Sequence, residues 1–353
     1  MKVLSVVGAR PQFIKAAALS KLLRQHHAEV LVHTGQHYDE NMSAVFFNEL
    51  ALPEPDYHLE VGSDSHGRQT ARMLEALEEV ILRERPDRVL VYGDTNSTLA
   101  GALAAAKLAV PLAHVEAGLR SGDRRMPEEV NRIVADHCAH LLFCPTETAV
   151  AHLAREGITK GVHLTGDIMY DALREHLPPA AEAAETLAAF DLEPGAYCLA
   201  TVHRAANTDD PARLAAILAA FGRLDAPVLF PLHPRTRKAA LGEGLSVAAN
   251  VRLVEPVSYR RMLALEKDAR AILTDSGGVQ KEAYLLAVPC VTLREETEWP
   301  ETLANGWNVL AGVDPGRIVT AATRPRPQAT PPPVFGDGHA ARRMLAALDE
   351  ATT

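Results

Sequence analysis

Short apolar, β-branched runs alternate with longer helical stretches along nearly the whole chain, and no other feature restricts the fold so tightly. KVLSVV, EVLVHT, DRVLVYGD, PLAHVEA, LLFCPT and VHLTG each precede a helical pattern. They are apolar at consecutive positions rather than at every second one. Such strands are buried on both faces and belong to parallel sheets covered by helices. A second series, YCLATVH, PVLFPLH, VRLVEP, AILTD, PCVTLR and NVLAG, repeats the pattern. The sequence therefore predicts an α/β fold with two doubly wound domains, at 1–177 and 195–330, divided at the Pro- and Ala-rich interval near 178–195. The length agrees, since 353 residues exceed what one simple core holds. A Pro-rich stretch, RPRPQATPPP, leads to a last amphipathic helix within 335–353, expected to return to the first domain.

The charge balance narrows the function. With 36 basic and 45 acidic residues the net charge is −9, which argues against a general binder of nucleic acid or membrane surfaces. An anionic ligand would need cations placed locally. The N-terminal apolar run is too short for a signal peptide and no run approaches membrane-spanning length, so a cytoplasmic protein is expected. Cys138, Cys144, Cys198 and Cys290 show no CxxC spacing and lie in apolar segments, as buried reduced thiols do. His137 and His140 stand at helical spacing in DHCAH, but such histidines are more often core or surface residues than ligands. Neither a metal nor any other cofactor is signalled.

Ligands of doubly wound sheets bind beyond the carboxyl ends of the strands. Residues that break local rules there are the candidates. In VVGARPQFIKAAAL, Arg10 and Lys15 place cations at a helix start, where the helix dipole disfavours them. An anionic ligand would remove the misfit; a solvated pair around a plain turn is the bland alternative. The later glycines of a dinucleotide fingerprint are missing. Asp94 ends the strand of VYGDTNS, where a cap or turn residue is the ordinary explanation. Glu116 shifts the odds, because a carboxylate in the apolar surroundings of HVEAG is costly unless paired or functional. Cationic Arg120, Arg124 and Arg125 follow, then Glu128 and Glu129 at a helix start, where acidic residues also suit the dipole. Three carboxylates at one sheet edge, Asp94, Glu116 and Glu128, resemble acid–base equipment.

In the second domain, His203 ends the strand of LATVHR and is open to either a hydrogen-bonding or an acid role. His233, Arg235 and Arg237 read as a solvated basic loop. TDSGGVQKEA sets Ser276, Gly277 and Gly278 at a turn into a helix, where bare N–H groups and a hydroxyl suit a phosphate. Glu282, one turn in, is either an exposed helix residue or an acceptor for ribose hydroxyls.

In order along the chain, GARPQFIK, TGQH, YGDTNS, HVEAGLRS, MPEEVNR, TVHR and TDSGGVQKE resemble the motifs of the non-hydrolysing UDP-N-acetylglucosamine 2-epimerases. The resemblance covers essentially the whole chain. It implies a glycosyltransferase-B-like architecture of two Rossmann-like domains, a UDP-sugar in an interdomain cleft, a homodimer and no cofactor. It implies catalytic roles for Asp94, Glu116, Glu128 and His203. By the same resemblance the diphosphate lies at Ser276–Gly278 with Arg10 and Lys15, the ribose lies at Glu282, and a second, activating UDP-sugar lies near Gln36 and His37. The implied reaction converts UDP-GlcNAc to UDP-ManNAc by expelling and re-adding UDP through a 2-acetamidoglucal. Three positions depart from the family pattern: Ala206 and Lys281 where Glu is usual, and Trp299 where well-known members carry Arg. QKEAY with TEWPE looks more like the UDP-2,3-diacetamido-2,3-dideoxyglucuronate 2-epimerases. A glycosyltransferase on the same architecture and a non-catalytic UDP-sugar sensor are the rivals, since fold alone does not separate them.

Overall fold

A computed structural model describes residues 1–36, 49–232, 236–239 and 246–351. Each apolar run of the first series forms a strand: β1 (Lys2–Val7), β2 (Ala28–His33), β4 (Arg88–Tyr92), β5 (Leu112–Val115), β6 (Leu141–Cys144) and β7 (Val162–Leu164). One strand escaped the sequence pattern. β3 (Tyr57–His58) is a two-residue edge that pairs only with Val32 and His33 of β2, too short to carry a periodic signal. The sheet is parallel throughout, in the order β3-β2-β1-β4-β5-β6-β7. Helices α1 (Arg10–His26), α2 (His66–Glu84), α3 (Asn96–Lys107), α4 (Pro127–Cys138), α5 (Glu147–Arg155) and α6 (Ile168–His176) make the connections. Val89 and Val91 of β4 pack against Met73 and Leu77 of α2 and Ala100 and Ala104 of α3, all nearly sealed from solvent. Each larger apolar side chain buried this way stabilises the fold by roughly 1.5–3 kcal/mol.

The second series forms another parallel sheet from β8 (Cys198–Thr201), β9 (Val228–Pro231), β10 (Val251–Val254), β11 (Ala271–Thr274), β12 (Cys290–Thr292) and β13 (Asn308–Leu310), in the order β10-β9-β8-β11-β12-β13. Its helices are α7 (Ala180–Ala188), α8 (Ala205–Thr208), α9 (Pro211–Gly222), α10 (Tyr259–Lys267), α11 (Gly277–Leu285) and α12 (Pro315–Ala322). The chain divides into two units, Met1–Glu175 with Pro333–Thr353, and His176–Pro332. The interval near 178–195, read as the boundary, carries α7, whose Leu187 packs with Tyr197 and Leu199 in the second core. The division therefore falls just before it.

Both strand orders reverse direction once, between β1 and β4 and between β8 and β11. Neighbouring helices leave opposite faces at such a switch point and open a crevice beyond the strand ends. Arg10, Lys15 and Asp94 follow β1 and β4, while His203 and Ser276 follow β8 and β11. The fold thus sets two groups of candidates at the two switch points, one in each unit.

Among the described residues no helix is long and apolar enough to cross a membrane. The four thiols are free. Burial pushes Cys144 and Cys290 up to about 12 and Cys198 to about 11, so these are inert core groups at neutral pH.

The last helix, α13 (Ala340–Glu350), belongs to the first unit and packs on α1. Its own N-cap, His339, makes no side-chain cap. Asp171 of α6 replaces it from far away in sequence, accepting from the N–H groups of Ala340 and Ala341, each at 3.0 Å. Asp171→Ala should therefore cost ~1–2 kcal/mol, the usual value of a lost cap. A lowered urea midpoint and faster amide exchange at 340–341 would report it; an unchanged midpoint would show that the helix docks without this cap.

Candidate functional site

At the first switch point the chain turns over Gly93, which holds φ +63°. A Cβ there would come within 3.1 Å of Lys15 Nζ and 3.3 Å of Glu116 Oε2. Glycine, which also suits the positive φ, leaves these two side chains room to close over the backbone. Lys15 and Glu116 form a buried ion pair, their side chains 9% and 6% exposed. Lys15 rises from α1 after β1 and Glu116 comes from the end of β5, so the pair ties three neighbouring strand ends together. Glu116 is itself at φ +70°. A left-handed conformation costs a non-glycine residue about 1–2 kcal/mol, and such strain is commonest where a side chain is aimed for function. Its N–H donates to the Phe143 carbonyl at 3.1 Å, which helps to hold the bend.

Asp94 follows directly. Its Oδ2 accepts from Arg132 Nη2 at 2.5 Å, and its carbonyl accepts from Asn131 Nδ2 at 2.9 Å. Arg132 is 2% exposed and also donates to Glu129 Oε2 at 2.9 Å. Glu129 in turn accepts from the N–H groups of Ser121 and Gly122 at 2.9 and 3.0 Å, and from the Ser121 hydroxyl at 3.0 Å. Burial opposes its ionisation, but these donors and Arg132 outweigh burial and hold the carboxyl below the usual range. The neighbouring Glu128 lies in the same first turn of α4, half-buried, with no hydrogen bond or ion pair among the described residues. Adjacent carboxylates thus take opposite parts, one clamping the loop and one unengaged. Glu129 is therefore a keystone of the loop.

The cationic loop also differs from expectation. Arg120 is held in two parallel bonds by Glu156, at 2.7 and 2.8 Å, and donates to buried Asp136 at 2.7 Å. Asp136 also meets His114 Nδ1 at 2.7 Å, and His114 Nε2 lies 2.7 Å from the Gly93 carbonyl. Burial works against the Asp136 charge, yet His114 and Arg120 hold this carboxyl below its ordinary value. Arg125 is spent on Asp123, at 2.8 and 2.9 Å. Of the remaining first-unit candidates, Arg10 opens α1 and is partly buried. Gln36 Oε1 accepts from the Ser97 N–H at 3.0 Å and its hydroxyl at 2.8 Å, satisfying the start of α3. His37 lies outside the described residues, as do His233 and Arg235.

In the second unit, Asp275 carries the arrangement. Fully buried at the end of β11, it accepts from the N–H groups of His203 (3.0 Å) and Arg204 (3.0 Å) and from Asn207 Nδ2 (3.1 Å). This fixes the turn after β8. The imidazole is less confined, with Nε2 3.8 Å from Asp275 and its side chain 40% exposed. Ser276 is the N-cap of α11, its hydroxyl accepting from the Val279 N–H. Gly277 and Gly278 are its first two helical residues, neither at positive φ. They are glycines for different reasons. A Cβ on Gly277 would strike the Glu298 carboxylate, whereas one on Gly278 would meet only Ser276 Oγ, at 3.8 Å. Beyond Gly278 the helix start is open, and its N–H groups suit an anion. Glu282 is buried rather than exposed and accepts from Tyr259 Oη at 2.9 Å. Lys281 and Trp299 meet, the ammonium 3.8 Å from the ring centre, so two departures from the family pattern are one contact. Ala206 is exposed on α8.

Gln12, Arg132 and Asp275 were not singled out as functional from sequence. Gln12 Oε1 accepts from the N–H groups of Gly8 and Ala9 at 2.8 and 3.0 Å, and its amide reaches the Tyr92 carbonyl at 2.8 Å. Its place at the third helical position after the cap is the one signal that could have found it. The Arg132–Asp94 and Asp275–His203 contacts span long sequence distances, which no spacing reveals.

Two doubly wound parallel sheets, with carboxylates at one switch point and an open helix start at the other, define an α/β protein of the glycosyltransferase-B-like kind. Comparison gives the family. Residues 21–349 match the family model described as UDP-N-acetylglucosamine 2-epimerase. A "UDP-N-acetylglucosamine 2-epimerase homolog" of Methanococcus maripaludis is 50% identical over 354 residues, 99% of both chains. The UDP-2,3-diacetamido-2,3-dideoxy-D-glucuronate 2-epimerase of Pseudomonas aeruginosa is 49% identical over 330 residues, 91% of both. The crystal structure of Methanocaldococcus jannaschii UDP-GlcNAc 2-epimerase in complex with UDP-GlcNAc and UDP has a TM-score of 0.91 at 42% identity, covering 99% of this chain and 100% of that one. The chain belongs to the UDP-N-acetylglucosamine 2-epimerase family and is an isomerase.

Glu129→Gln should lower stability by ~1.5–3 kcal/mol at neutral pH, the worth of hydrogen bonds to a charged group. Because the folded-state carboxyl lies below its unfolded value, its contribution is present above the ordinary Glu range and lost as pH falls through the folded value. Urea titrations of both proteins should converge on acidification. A gap that persists undiminished well below the Glu range would contradict the clamp.

Proposed function

We propose that the protein interconverts UDP-GlcNAc and UDP-ManNAc by inversion at C2, without hydrolysis. The observation that supports this best is the group around Gly93: Glu116 held by Lys15, Asp94 held by Arg132, and Glu128 unengaged. The C2 proton of such a sugar has no adjacent carbonyl to acidify it. In this reading a base removes that proton while the C1–O bond to UDP breaks and its electron pair leaves on the diphosphate. The C2–H electrons become the C1–C2 double bond of a 2-acetamidoglucal. Re-addition of UDP with protonation on the other face completes the inversion. Asp94, Glu116, Glu128 and His203 supply the acid and base, and the α11 start with Ser276, Gly277 and Gly278 receives the diphosphate, together with Arg10 and Lys15. Glu282 receives the ribose. Gln36 and His37 belong, in this proposal, to a second UDP-sugar site, and the working form is a cytoplasmic homodimer.

A second substrate rests on one contact. Lys281 stacked on Trp299 stands where many family members carry Glu and Arg. The change adds positive charge beside the anion-ready helix start and favours a uronic sugar. A panel comparing UDP-GlcNAc with its 2,3-diacetamido-uronic counterpart decides between the two by kcat/KM.

Incubated in heavy water with one UDP-sugar and no acceptor, the enzyme should place deuterium at C2 of the epimer and release a little free UDP and glycal. Product with only protium at C2 would eliminate the proposed route. A glycosyltransferase or a sensor would yield no epimer at all.

Glu128→Gln should lower kcat by about 10²-fold or more, the usual worth of a general acid or base, with the urea midpoint nearly unchanged. Full turnover in that variant would remove Glu128 from the chemistry.

A further inference from the structure

Helices α10 and α11 pack together in the second unit and enclose two carboxyls. Tyr259 and Glu266 stand two turns apart on one face of α10, with Leu263 between them, and all three are buried. On α11, Glu282 lies one turn beyond Gly278, on the face that leads back to the open helix start. Tyr259 Oη donates to Glu282 Oε1 at 2.9 Å, and the His176 ring packs 5.8 Å from the Tyr259 ring. Glu266 is fully buried, and among the described residues neither of its oxygens has a donor; the hydrogen-bonding group it faces is Glu282. Lys281, the adjacent cation on α11, directs its ammonium to the Trp299 ring. Tyr197 and the Cys290 thiol also feel Glu266, and each would be an anion if ionised.

An ionised Glu266 would be a buried charge with no donor among the described residues, set against Glu282. Burial first, and the Glu282 charge second, push its carboxyl well above the usual range. A protonated carboxyl has one hydrogen to donate, and Glu282 is the acceptor in front of it.

We propose that Glu266 is a positioning residue: as a neutral acid it donates a hydrogen bond to Glu282, and with Tyr259 it fixes the carboxylate that meets the ribose hydroxyls of a uridine nucleotide at the start of α11. This rests on the assignment of α11 as the nucleotide site. The arrangement makes Glu266 a determinant of ribose recognition that never touches the ligand. Neutrality and a donor hydrogen are its two requirements, and glutamine meets both.

The test is calorimetry of the full-length protein with UDP and with 2′-deoxy-UDP. Glu266→Gln should keep UDP affinity within about twofold. Glu266→Leu should lower it about tenfold, the worth of one lost hydrogen bond, while 2′-deoxy-UDP weakens by less than about threefold and kcat at saturating substrate holds. Equal losses for the two nucleotides, or a Gln variant as weak as the Leu variant, would overturn the proposal. Should the Leu variant fail to fold, difference infrared spectra of wild type and Glu266→Gln still decide: a carboxylic-acid C=O band present only in wild type is expected, and its absence there would refute the neutral acid. If wild type binds no UDP, the nucleotide assignment fails, while the infrared band continues to report on Glu266.

Discussion

The ion pair of Lys15 and Glu116 over Gly93 holds the first switch point together. Its members come from different parts of the chain, and they meet tightly over a residue that has no side chain. Removing either partner would strand a charge in a nearly closed space, a loss of about 3–5 kcal/mol. The strained backbone of Glu116 is tolerable for the same reason, since the pair and the Phe143 carbonyl hold it in place. Around that centre the other carboxylates are arranged by cations and backbone donors. Arg132 joins Asp94 to Glu129, and Glu129 ties down the loop at 121–122. Glu128 remains outside this scaffold, with no hydrogen bond or ion pair among the described residues.

The second unit solves a similar problem with a carboxylate in place of a cation. Asp275 gathers the backbone N–H groups of 203 and 204 and so aims the turn that carries His203. One residue later Ser276 starts α11. A single strand end therefore shapes both the histidine turn and the anion-ready helix, and the two cannot be altered independently.

Much of this was legible in the sequence, because consecutive apolar positions mark buried parallel strands and turn motifs mark their ends. The strands of both sheets other than β3 followed from that signal. The remainder depended on contacts that spacing does not encode. Glu282 stayed open between an exposed and a ligand-facing position, because its partner Tyr259 is 23 residues away in another helix. Helix-dipole reasoning treats Glu128 and Glu129 alike, and it gives no sign that the loop donors reach only Glu129. The paired glycines pointed to bare N–H groups at a turn into a helix, but not to the crowding of Glu298 against Gly277, which involves a residue 21 positions away. Departures at 281 and 299 looked separate until they proved to be a stack.

The capping of α13 by Asp171 bears on how the chain matures during synthesis. The first unit is discontinuous: Pro333–Thr353 completes it, after all of His176–Pro332 has been made. Until those residues emerge, the face of α1 that receives α13 stays uncovered and Asp171 has no N–H groups to accept from. The continuous second unit has no such wait and can close on itself while the first is still open. Vectorial synthesis thus makes every residue of the later unit before the last residues of the earlier one.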